Sequence, residues 1–69
     1  MSVNDEIRAG LIARLDEYIA YAGSAYRLSI LLEMKREQEI YSIRKIGGLR
    51  RLVNVLEKCE KKINLHKKK

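Results

Sequence analysis

Apolar residues recur along this chain at steps of three and four, nowhere settle into the two-residue alternation of a strand, and are not interrupted by a single proline. The strong helix formers Ala, Leu, Glu, Lys, Arg and Ile dominate the sequence, so the expectation is an all-α fold. The punctuation must then come from the four glycines, Gly10, Gly23, Gly47 and Gly48, because glycine is poor inside a helix and favoured just beyond its end.

A first helix is expected over residues 4–22, with Asn4 as its N-cap and Asp5 and Glu6 at the positive end of its dipole. Ile7, Leu11, Leu15, Tyr18 and Ala22 form its stripe, which Ile12 and Ile19 widen into a broad apolar face. Gly10 falls inside this pattern at a cost of about 1 kcal/mol against alanine. That cost is tolerable where another helix crosses closely.

Gly23 can stop the first helix and Ser24 can cap the next, expected over residues 24–46. The rival, one helix from Asp5 to Ile46, is far longer than the usual mean of about 11–12 residues. The middle segment is apolar on two sides. Tyr26, Ile30 and Tyr41 continue the stripe of the first helix, whereas Leu28, Leu31, Leu32, Ile43 and Ile46 define a separate one. Such a helix sits between two neighbours, or between its own chain and a second subunit. Its polar waist, KREQE at 35–39, either lets Lys35 pair with Glu39 or marks a second break before a short helix ending at Ile46.

The third helix, over residues 49–64, has the clearest pattern. Leu49, Leu52, Val53, Leu56, Cys59 and Ile63 share one face, while Arg50, Arg51, Asn54, Lys58, Lys61 and Lys62 gather on the other. Beyond it, residues 64–69 read as a basic tail that frays. Together these elements predict a single domain over residues 1–69, a small three-helix bundle or helical hairpin.

A chain of 69 residues buries a modest share of its surface, and small domains of this kind lean on disulfides, a metal or a partner subunit. Cys59 is the only cysteine, and with His66 it makes two soft ligands where a zinc site takes four, so no metal or other cofactor is expected. Self-association is the remaining support, with Tyr18, Ile19, Tyr26, Ile30 and Tyr41 as its expected interface and the alanines of the first two helices permitting close approach. The tyrosines could also stack on unpaired bases, but their places on apolar stripes favour packing.

Charge is unevenly placed: residues 1–34 carry five acids and three bases, residues 35–69 twelve bases and four acids. The basic half would attract nucleic acid, an anionic lipid surface or an acidic protein. The opening decapeptide is acidic and lacks a long apolar run, and the most apolar stretch, YIAYAGSAYRLSILL, is interrupted by Arg27. A cytoplasmic protein is expected, with membrane association the least favoured option because leaving the bundle would uncover the core.

The double glycine before a basic helix raises the question of a helix-turn-helix, in which Arg50, Arg51 and Asn54 would meet base edges while Lys58, Lys61 and Lys62 neutralise phosphates. An ordinary corner between packed helices is the better reading of the glycines alone. No pairing of nucleophile and base, no converging carboxylates and no phosphate loop is present in the sequence, so no enzyme is expected. The leading expectation is a non-catalytic nucleic-acid-binding protein, with an adaptor or inhibitor docking on an acidic partner as the alternative.

Overall fold

In the computed structural model, which describes residues 3–36 and 38–67 and side chains as far as Ile63, four helices follow one another without a strand among the described residues. They are α1 (Val3–Ala22), α2 (Ala25–Leu31), α3 (Gln38–Ile46) and α4 (Leu49–Lys67). The all-α expectation holds, but the single middle helix is replaced by two short ones. Arg8 near the start of α1 reaches Gly47 at the start of α4, while Tyr18 and Tyr21 border Ile63 near the far ends. Helices α1 and α4 therefore run side by side in the same direction, and α2 with α3 carries the chain back from the end of α1 to the start of α4.

The core gathers Leu15 from α1, Ala25 and Leu28 from α2, Leu32 just beyond it, Ile40 and Ile43 from α3, and Leu52, Val55, Leu56, Cys59 and Ile63 from α4. Leu11, Ile12, Tyr18, Ile19, Ala22, Leu31 and Met34 pack around it. The α4 stripe is rotated from the expected one. Val55 is buried, while Val53 is 41% exposed. Periodicity alone places both near the edge of the stripe, and the positions of α1 and α3 decide which edge is covered.

Each boundary has a local cause. Helix α1 starts one residue before Asn4, which lies in the first turn with Asp5 and Glu6 rather than capping it. The N–H of Gly23 closes α1 on the carbonyls of Ile19 and Ala20, with Gly23 at φ 105°, a region hostile to a β-carbon. Ser24 then caps α2, its hydroxyl accepting from the Arg27 N–H at 3.0 Å. Both roles match the expected break.

The middle helix stops at Leu31, ahead of the polar waist, whose last two described residues, Gln38 and Glu39, open α3. Glu33 adopts φ 56° after α2, and the Met34 N–H reaches back to the Ser29 carbonyl in a helix-ending motif usually built on glycine. Lys35 and Glu39 thus lie on opposite sides of a break, not one turn apart on a helix. At the far end, α4 extends to Lys67, while the side chains from residue 64 onward and residues 68–69, on which the expected frayed tail falls, lie outside the described residues.

The two-residue corner between α3 and α4 demands glycine at one position. A β-carbon on buried Gly47 would lie 2.5 Å from the Ile43 carbonyl oxygen, a backbone atom that cannot swing away. Gly48 has open space, and its carbonyl accepts the first α4 bond from Leu52 N–H.

Candidate nucleic-acid interface

The basic surface is built on α4, a 19-residue helix whose opposite side is anchored by Leu52, Cys59 and Ile63, each at most 3% exposed. Arg50, Arg51, Asn54, Lys58 and Lys61 all lie exposed on the outward side. They recur at three, four and seven residues, so the helix presents them together. None enters the three ion pairs found among the described residues. Arg51 stands at the edge of this face, bordering a recess shared with Glu39, Ser42 and Ile43 of α3.

Lys62 is placed differently from the other expected residues. It is half-buried and its ammonium donates to the Glu33 carboxylate, tying α4 to the turn after α2. That hydrogen bond and the ammonium's charge hold the Glu33 pKa below the ordinary carboxylate value. Two glutamates also border the face. Glu60 turns to Arg14 of α1 at 3.1 Å, whereas Glu57 stands with Asn54, Lys58 and Lys61 around a shallow depression and dilutes their field.

The corner below this face is braced by a residue that the sequence pattern did not mark. The Arg8 guanidinium donates to the carbonyls of Gly47 at 3.3 Å, Arg44 at 3.2 Å and Lys45 at 2.9 Å. It thereby satisfies carbonyls left open at the negative end of α3. Two turns along α1, Asp16 accepts from Arg44 at 2.6 and 3.0 Å in a bidentate pair. The hydrogen bond from Arg44 lowers the Asp16 pKa against the opposing effect of desolvation, and Asp16 raises that of Arg44. The corner leading into α4 is therefore tied to α1 by two guanidinium groups, Arg8 and Arg44.

The corner is shorter than the three or four residues of a helix-turn-helix turn. It supports the reading as a packing corner, although Arg50, Arg51 and Asn54 remain accessible on the first two turns of α4.

The expected subunit-contact residues divide. Tyr18 and Ile19 pack on the chain's own core, while Tyr26, Ile30 and Tyr41 are 51%, 57% and 59% exposed. Cys59 is buried in the core and its thiol is pushed up to about 11 by desolvation, which makes it a poor nucleophile at neutral pH. Among the described residues no cluster of three metal-ligating side chains occurs, and no helix is long and apolar enough to cross a membrane. No family model matches this chain, and no curated protein or solved structure matches it either.

Proposed function

We propose that this is a non-catalytic, cytoplasmic, self-associating helical protein that binds nucleic acid through the outward face of α4. One observation carries the reading: Arg50, Arg51, Lys58 and Lys61 stand exposed, outside any ion pair among the described residues, on one face of a helix fixed by its buried side. Phosphate binding needs cations of this kind, since affinity comes from releasing counterions condensed on the polyanion. Asn54 lies among them and could hydrogen-bond a base edge, but the bulk of the affinity would be independent of sequence.

Four phosphate contacts imply a slope of log K against log salt of about −3.6, or a loss of roughly 100-fold between 50 and 200 mM salt. Fluorescence anisotropy with labelled duplex and single-stranded oligonucleotides tests this directly. The expected result is a steep slope that becomes shallower by about two in the Arg50→Glu, Arg51→Glu double variant, with affinity at least ~10-fold weaker. Undiminished binding by that variant would remove α4 as the interface.

Glu57 supports the second reading, a face that docks on an acidic protein. A carboxylate among the lysines repels phosphate, whereas a protein partner can offer it a matching base. Glu57→Gln separates the two, strengthening nucleic-acid binding under the first reading and weakening partner binding under the second.

A further inference from the structure

The first turns of α1 carry an apolar face that the fold leaves unused. Val3, Glu6, Ile7 and Gly10 follow the spacing of one helical face, and all four are exposed, Val3 at 69% and Ile7 at 46%. Gly10 is the telling member. A β-carbon there would meet nothing within 4 Å, so the chain's own packing gives no reason for the helix to carry a glycine that weakens it by about 1 kcal/mol.

Elsewhere, an open groove is lined by Tyr26, Ser29 and Ile30 of α2, by Met34, Lys35 and Arg36 after it and by Gln38 of α3, with both cations exposed. Tyr26 and Ile30 lie one turn apart, more than half exposed, and neither cation enters an ion pair among the described residues. The one buried hydroxyl of the lining, on Ser29, donates to the Tyr26 carbonyl at 2.6 Å. The groove therefore asks for apolar contact with acid at its edge.

We propose that the chain self-associates by seating the Val3–Gly10 face of one copy in the Tyr26–Arg36 groove of another. Val3 and Ile7 cover Tyr26 and Ile30, Glu6 meets Lys35 and Arg36, and Gly10 lets the incoming helix lie close against its neighbour. Charge selects this cross-pairing. Groove against groove would oppose four cations, and α1 face against α1 face would oppose two copies of Glu6, whereas the cross-pairing joins opposite charges. The proposal rests on the self-association read above and is independent of what α4 binds.

Light scattering across a wide concentration range gives the test, using the full chain, Glu6→Lys, and Lys35→Glu with Arg36→Glu, each checked for helicity by circular dichroism. The native chain should associate, and each variant alone should do so at least ~10-fold more weakly. An equimolar mixture of the two variants should regain association, because the lysine introduced at position 6 then faces an acidic groove while the other variant's Glu6 faces a native one. A native chain that stays monomeric at the highest concentration would overturn the proposal, as would folded variants that associate like the native chain or fail to rescue each other. In the monomeric case, a groove that bound an acidic amphipathic peptide would be assigned to a different protein.

Discussion

Along α1 and α4, Leu15, Leu52 and Cys59 are fully buried, and one exposed ion pair, Arg14 with Glu60, spans the two helices. The returning leg, α2 and α3, has seven and nine residues and leaves Tyr26, Ile30, Tyr41 and Ile46 between 51% and 75% exposed. Isolated helices below about 12–15 residues are marginal in water, so this leg cannot stand by propensity. It is held by Leu28 and Ile40 from within and by polar ties to the long helices: Arg8 on the end of α3, Asp16 on Arg44, and Lys62 on Glu33. The contrast teaches that two parts of one small core can share the same buried interior and differ at their margins, the long helices joined by one exposed ion pair and the short leg adding several exposed polar ties to its buried residues.

The largest effect should come from the long helices. Leu52→Ala, at a fully buried site, is expected to cost about 3 kcal/mol by urea denaturation, a large part of what a small domain possesses. A loss below about 1 kcal/mol would show that the site collapses freely and that α4 is less tightly packed than its burial indicates.

The corner gives the next effect. Gly47→Ala should destabilise by about 1–3 kcal/mol, since the added methyl meets the backbone of Ile43, whereas Gly48→Ala should be close to neutral. Equal effects at both glycines would contradict the geometry of the corner.

Removing a single tie should loosen the returning leg selectively. Arg8→Ala is expected to cost about 1 kcal/mol and to accelerate amide hydrogen exchange in α3 more than at the centre of α4. Uniform acceleration would mean that the two regions open as one unit and would erase the distinction.

The smallest effect is that of pH. The lowered Asp16 pKa adds stability that is fully present above the ordinary carboxylate value near 3.8 and is lost as pH falls through the native value. Because the pair is close to half exposed, the effect should be weak and should shrink with salt. A Tm series from pH 6 to pH 3 should therefore fall less steeply in Asp16→Asn than in the native chain.

Ser24 and Gly23 were legible as a break because capping is a local matter between residues three or four apart. The outward placement of Arg50, Asn54 and Lys58 was legible too, since unpaired charge stays in water. The Arg8 brace was not, because its partners lie 36 to 39 residues away and no periodicity records them. The exposure of Tyr26, Ile30 and Tyr41 in the single chain was not legible for a related reason: an apolar stripe announces burial without saying whether this chain or another provides it. The polar waist offered a break and a continuous helix alike, and the left-handed turn at Glu33 decides for the break without the glycine that would have signalled it.

Cys59 has a consequence for following the molecule through time. It is the only cysteine, it is sealed in the core, and its sulfur is held as the neutral thiol by a pKa of about 11. A thiol-labelling reagent at neutral pH can therefore mark only chains that have opened, so the pace of labelling becomes a clock for the core's opening without any engineered probe. Between about pH 9 and pH 11 the thiolate forms more readily in the unfolded chain, so alkali draws the equilibrium in the direction the clock records. The same burial keeps folded copies from becoming covalently joined under oxidising conditions, leaving their encounters reversible.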